Sequence, residues 1–146
     1  MKSMAELLLV DDNPADIDLT SEILEHSWRR HRVRSVSDGV EAIAFLRGEG
    51  KYAGESAPDL IMLDLNLPRK DGRAVLAEIK ADPGLRGTPI VVFSTSHAQR
   101  DILGSYELGA NSYVCKPGNL KDFESALKAI CDFWCGCVVL PGERKS

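Results

Sequence analysis

The chain has 146 residues, 44% of them hydrophobic and 27% charged, which suits one globular domain with a full apolar core. Its formal net charge of -4 and pI of about 5.4 argue against nucleic acid or an anionic membrane surface as a general partner. No apolar run is long enough to span a bilayer. The opening Met1-Lys2-Ser3-Met4-Ala5-Glu6 lacks the apolar segment and cleavage site of a signal peptide, so a cytoplasmic protein is expected.

In chain order, Glu6–Val10 reads as a buried strand. Asp12-Asn13-Pro14 then turns the chain, with Pro14 suited to a helix start, and Leu19, Ile23 and Leu24 give one apolar helical face to about His26. The basic run Arg29-Arg30-His31-Arg32 reads as a solvated helix end. A second strand lies near Arg32–Val36. Ser37-Asp38-Gly39 offers helix-capping chemistry, and Val40, Ile43, Ala44 and Leu46 make a helix ending at Gly48. Glu49–Pro58 is a polar, glycine-containing loop and the best insertion point in the chain.

The third strand is Asp59–Leu63, followed by a loop over 65–72. Val75, Leu76 and Ile79 mark a helix ended by Asp82-Pro83-Gly84. Pro89–Phe93 is a fourth strand. Ile102, Leu103 and Tyr106 share a helical face that Gly109 stops at the C′ position. Ser112–Cys115 is a fifth strand, and Phe123, Leu127, Ile130 and Trp134 follow helical spacing in the last helix. Five strands alternating with five helices predict an α/β fold, a doubly wound parallel sheet covered on both faces. The flavodoxin-like strand order 2-1-3-4-5 puts strands 1 and 3 together at the switch point.

The four cysteines, Cys115, Cys131, Cys135 and Cys137, are expected as free thiols. Cys135-Gly136-Cys137 is a Cys-x-Cys pair at a helix end, unlike the Cys-x-x-Cys redox motif at a helix start. A zinc site is disfavoured because no second ligand pair has suitable spacing.

Four of the strands deliver a polar group at their C-terminal ends: Asp11 and Asp12, Asp64, Ser94, and Lys116. In an open α/β sheet those ends line the ligand crevice. Three carboxylates there require a cation or raised pKa values, and oxygen-only ligands suit Mg²⁺. The bland alternative, that Asp11 and Asp12 only cap the first helix, leaves Asp64 unexplained. The Lys116 ammonium and the Ser94 hydroxyl suit a phosphoryl group. Lys116-Pro117 is a candidate cis peptide that would aim the lysine inward, although cis bonds are the minority even before proline.

The residues Asp11-Asp12, Asp64, Ser94-Thr95 and Lys116-Pro117, each after its strand, resemble the motif set of a response-regulator receiver domain of two-component signalling. The resemblance covers about residues 6–135, and its combined motifs are highly specific. It implies that Asp64 accepts a phosphoryl group from a phosphohistidine of a sensor histidine kinase. Mg²⁺ would be held by Asp11, Asp12, Asp64 and the backbone carbonyl of Asn66. Ser94 stands at the family's switch position, Tyr113 at its aromatic switch position and Thr95 beside the phosphate. Asp12-Asn13-Pro14-Ala15-Asp16, Leu63-Asp64-Leu65-Asn66-Leu67-Pro68 and Phe133-Trp134 resemble the single-domain regulators that partner bacterial phytochromes.

On this reading residues 1–135 form the receiver, and 136–146 are a short tail with no effector domain. The protein is a switch, not a turnover enzyme, with output by protein contact or by forming a homodimer. Phosphorylation would repack the surface of the fourth helix, fifth strand and fifth helix. The apolar run Cys137-Val138-Val139-Leu140-Pro141 either extends a dimer face or frays. Two alternatives belong to other classes. An aspartate-nucleophile phosphatase would need a second Asp at Asn66 and a cap domain. A flavodoxin-like electron carrier would need a hydroxyl-rich loop where Asp11-Asp12 would repel FMN phosphate.

Overall fold

The computed structural model describes residues 5–26 and 31–141. Residues 1–4, Arg29 and Arg30 of the basic run, and the last five residues of the tail lie outside them. Among the described residues the elements run β1 (Ala5–Val10), α1 (Pro14–Glu25), β2 (His31–Val36), α2 (Gly39–Arg47), β3 (Leu60–Leu63), α3 (Gly72–Ala81), β4 (Ile90–Ser94), α4 (Gln99–Glu107), β5 (Ser112–Cys115) and α5 (Leu120–Cys131). The strands form one parallel sheet in the order β2-β1-β3-β4-β5, as the alternating pattern predicts.

The central strands are apolar on both faces because helices cover both. Leu8 and Val10 of β1, with Ile61, Leu63, Ile90 and Val92, pack on Ala42, Ile43 and Phe45 of α2 and Val75, Leu76 and Ile79 of α3. The alternate residues Leu7, Leu9, Leu60, Met62, Val91 and Phe93 face Leu24 of α1 and Phe123, Leu127 and Ile130 of α5. Side chains alternate with period two, so this division pins the register: a one-residue slip would exchange the two cores. Leu7 pairs with Leu60 and Val10 with Leu63, which brings the next residues, Asp11 and Asp64, side by side.

Side-chain caps start α1, α2, α3 and α5. Asn13 accepts from the Ala15 and Asp16 amides, Asp38 from Glu41, Asp71 from Arg73 and Asn119 from Asp122, satisfying donors that the first helical turn leaves unpaired. Gly109, at φ 108°, ends α4 in the left-handed conformation that a side chain disfavours.

Four local expectations change. The loop after α2 contains a 3₁₀ turn at Gly50–Tyr52, because Tyr52 tilts against Phe45 with ring centroids 5.2 Å apart and its hydroxyl donates to Glu41 Oε1 at 2.5 Å. The stripe on α4 is not a core face: Leu103 is 52% exposed and Tyr106 47%, while Ser105 is buried. His31 opens β2 and is buried, so the basic run does not continue as a solvated helix end. Beyond α5 the chain widens into a π-helical turn, Asp132–Cys137, and then Leu140 is buried although Val139 is exposed. In the described residues the tail therefore docks on its own chain, through Leu140.

Candidate functional site

The C-terminal ends of β1, β3, β4 and β5 meet in one crevice. Hydrogen bonds lock neighbouring strands there: the Asp64 amide donates to Val10 O at 2.9 Å, Asp11 to Val36 O at 3.1 Å and Lys116 to Ser94 O at 2.7 Å. Asp11 is 2% exposed, Asp64 8% and Lys116 6%, burial that charged groups tolerate only when paired. One carboxylate oxygen from each of Asp11, Asp12 and Asp64 lies within 4.8 Å of the others. Lys116 Nζ donates to Asp11 Oδ2 at 2.6 Å and to Asp64 Oδ2 at 3.0 Å. The same ammonium donates to Asp16 Oδ2 at 3.0 Å, and it lies 5.9 Å from the centroid of the Phe93 ring.

The charges set one another. Burial pushes the Asp11 carboxyl above the usual carboxylate range, opposed by the Lys116 hydrogen bond. Burial works against the Lys116 charge too, but its hydrogen bond to Asp11 and the charges of Asp11 and Asp64 outweigh it, and its pKa is raised. The ammonium is thus locked in the charged form, within reach of anything bound to Asp64.

Asn13 caps α1, and Asp11 instead accepts the Asn13 amide through Oδ1 at 2.9 Å. Asp12 is exposed at the crevice mouth, so the first-helix capping alternative fails for both acids. Asn66 is also exposed, its amide donating to Asp64 Oδ1 at 3.2 Å. Ser94 is fully buried and accepts the Ser96 amide at 3.3 Å, whereas Thr95 is exposed. Tyr113 is half-buried: its hydroxyl donates to Ser96 O at 2.9 Å and its amide to the Tyr106 hydroxyl at 3.1 Å. Burial raises its phenol pKa.

The bond between Lys116 and Pro117 is trans, not cis. The ordinary isomer suffices because the lysine stem, leaving the end of β5, carries Nζ to the carboxylates unaided.

Two features escaped the sequence. Asp16 occupies the third helical position after its cap, where an acid is read as ordinary helix-start chemistry; only the fold shows it against Lys116. Behind Ser94, Ser96 Oγ donates to Asp101 Oδ2 at 2.6 Å, and Arg73 Nη2 reaches Asp101 Oδ1 at 2.6 Å. The Ser96 hydrogen bond and then Arg73 hold the Asp101 carboxyl below its usual range. This network ties α3 and α4 to the loop after β4.

A 2-1-3-4-5 sheet carrying paired acids after β1, an acid after β3, a hydroxyl at the end of β4 and a lysine after β5 defines a receiver of two-component signalling. The chain belongs to the response regulator receiver domain family, whose match spans residues 7–128. Response regulator Rcp1 of Synechocystis sp. is 47% identical over 135 residues, 92% of either chain. The crystal structure of the phosphorylated cyanobacterial phytochrome response regulator RcpA superposes with a TM-score of 0.92 at 51% identity, covering 94% of this chain and 99% of RcpA. The Mn²⁺-bound form of Rcp1 superposes at 0.90 and 47% identity, covering 94% and 99%. The phosphatase and electron-carrier alternatives give way to this family, a signalling family whose members bind divalent metal. Among the described residues no helix is long and apolar enough to cross a membrane.

Proposed function

We propose that the protein accepts a phosphoryl group on Asp64 from a sensor histidine kinase, a phytochrome kinase by analogy with RcpA, and passes the signal on by protein contact or self-association. The observation that carries this reading is the buried Lys116 ammonium shared between Asp11 and Asp64 beside the Asp12 carboxylate. Asp11, Asp12, Asp64 and the Asn66 carbonyl would hold Mg²⁺, and the oxygen-only donor set fits that ion. When bound, the ion supplies positive charge that offsets Asp64 and an incoming phosphoryl group.

The residues of the chain perform the remaining tasks. An Asp64 oxygen attacks phosphorus in line; the new O–P bond forms as the donor's N–P bond breaks, and the electron pair stays on the departing imidazole. Lys116, Ser94 and Thr95 donate to the phosphoryl oxygens, which is catalysis by positioning and electrostatics. The product adds a charge of about -1.5 to -2 at neutral pH. Lys116 then transfers part of its bonding from Asp64 to the phosphoryl oxygens. Ser94 turns toward them and Tyr113 follows into the space released, re-forming the surface of α4, β5 and α5.

Incubation of the native chain with acetyl phosphate and Mg²⁺, read by intact mass, tests the acceptor. One phosphoryl adduct is expected, absent in Asp64→Asn. A native chain that binds Mg²⁺ yet gains no adduct overturns the proposal.

A further inference from the structure

At the opposite end of the sheet from the acidic crevice, His31, Cys131 and Cys135 converge, with one ligand atom of each lying within 4.8 Å of the others. His31 opens β2 beside Ala5, at the start of β1. Asp11 follows the end of β1, about 20 Å away by the rise of a strand. His31 and Cys131 are buried, and Cys135 is half-exposed one helical turn further on, where α5 passes into the π-helical turn. The cysteine pair alone is only a helical i, i+4 spacing. The third member comes from 100 residues earlier in the chain, which is why spacing along the sequence gives no zinc signature.

The second observation is the imidazole itself. His31 Nε2 lies 2.9 Å from Cys131 Sγ, while Nδ1 is buried with no hydrogen-bond partner among the described residues. Thiols are weak donors and weak acceptors. A histidine that is 7% exposed is thus held by one soft contact with its other nitrogen unpaired, a poor arrangement for a residue serving packing alone.

We propose that His31, Cys131 and Cys135 form a binding site for a thiophilic transition-metal ion of the Zn²⁺ class, with the fourth coordination position open. One imidazole nitrogen and two thiolates are the donor set that Zn²⁺ takes, and tetrahedral bonds of about 2.0–2.3 Å put the donors about 3.5–3.8 Å apart. The present spacing therefore needs small side-chain rotations, with Cys131 and His31 opening slightly to admit the ion. Binding releases the two thiol protons to solvent. The dipositive ion and two thiolates then sum to no net charge around a neutral imidazole, so burial opposes the complex little. Cys131 also lines a cavity of about 640 Å³ with Ile23 and Leu24 of α1 and Lys128 of α5. A bound ion would clamp the end of α5 to the start of β2 and so hold the base of the tail.

The test uses the full reduced chain with Mg²⁺ in excess, and Co²⁺ as the spectroscopic stand-in for Zn²⁺. A single Co²⁺ per chain is expected to give the intense visible bands of tetrahedral cobalt with thiolate charge transfer, bleached by added Zn²⁺. Cys135→Ser, which leaves one thiolate, weakens both the charge transfer and the affinity, while Cys137→Ser and Asp64→Asn leave them intact, separating this site from the acidic crevice. In the native chain, Zn²⁺ should protect Cys131 and Cys135 from alkylation and leave Cys137 reactive, a reading that needs no variant to fold. Only the pale spectrum of octahedral, oxygen-ligated cobalt overturns the proposal, as does unchanged alkylation at Cys131 and Cys135.

Discussion

Lys116 is the residue on which the acidic crevice turns. Its ammonium touches three carboxylates, two of them buried, and removing one partner of a buried charge pair costs about 3–5 kcal/mol. Lys116→Met is therefore expected to lower the unfolding free energy of the metal-free chain by that order, with Mg²⁺ recovering part of the loss by replacing the missing charge. Urea melts with and without Mg²⁺ measure both effects, and a loss that Mg²⁺ leaves untouched contradicts the shared-charge account. The pH dependence has a definite sign. The pKa of Lys116 is raised above its ordinary 10.5, so its proton is held more tightly in the folded chain than in the unfolded one. Its stabilisation is full below 10.5 and is lost as pH rises beyond that toward the folded pKa. Asp11 is also raised, from 3.8, so it too binds its proton more tightly when folded. Its contribution to stability falls as pH rises through 3.8 toward the folded value. Relative to Asp11→Asn, the native chain should lose stability over that acid interval, a difference that urea midpoints measured against pH will show.

At the scale of elements, the loop after β3 is gripped where it carries Asp64. A Cβ on Gly72 would lie 2.3 Å from the Asp64 carbonyl oxygen and 2.6 Å from Leu65 Cα, both backbone atoms that cannot swing aside. Gly72→Ala is expected to cost about 1–3 kcal/mol through overpacking, and to slow phosphorylation by acetyl phosphate because the displaced backbone is that of Asp64. A variant with native stability and rate would show that the helix α3 and the loop separate freely. The tail is held in a different way. Leu140 is 1% exposed, so Leu140→Ala is expected to cost about 2–5 kcal/mol, whereas a frayed segment would lose nothing; thermal or urea unfolding decides. Helix α4 shows the limit of periodicity. Ile102, Leu103 and Tyr106 fall on one stripe, but hydrophobic spacing describes a face and not what it meets. Here Leu103 and Tyr106 face outward, and the Tyr106 hydroxyl accepts the backbone amide of Tyr113.

For the whole molecule, the exposed apolar residues of α4 lie on the surface that the phosphorylation switch is proposed to remodel. If the output is self-association, sedimentation should show a larger species with a phosphoryl mimic and Mg²⁺ than without, and Tyr106→Glu should return it toward monomer. An unchanged monomer at high concentration in both conditions would leave contact with another protein as the output. The overall architecture was legible because its signals are local: apolar runs of strand length, alternation with helical stripes, and turn chemistry at Pro14, Gly48 and Gly109. The handedness of the crossovers that such a pattern imposes leaves few strand orders, the flavodoxin-like 2-1-3-4-5 among them.

The acidic crevice was legible for the same reason, since a parallel sheet gathers the residues at the C-terminal ends of its strands, and Asp11, Asp12, Asp64, Ser94 and Lys116 each stand at one. Residues placed by packing were not. Asp16 looks like helix-start chemistry until α1 is set against β5, and Leu140 looks like tail until it is buried. His31 looks like part of a solvated basic run until β2 carries it to Cys131 and Cys135. Periodicity and motif spacing act over a few residues, so the sequence by itself determined the elements, their order and the chemistry at the strand ends. Contacts made across 100 residues, such as Lys116 with Asp16 and Cys131 with His31, exist only once the sheet and helices are packed, and only the tertiary structure decided them.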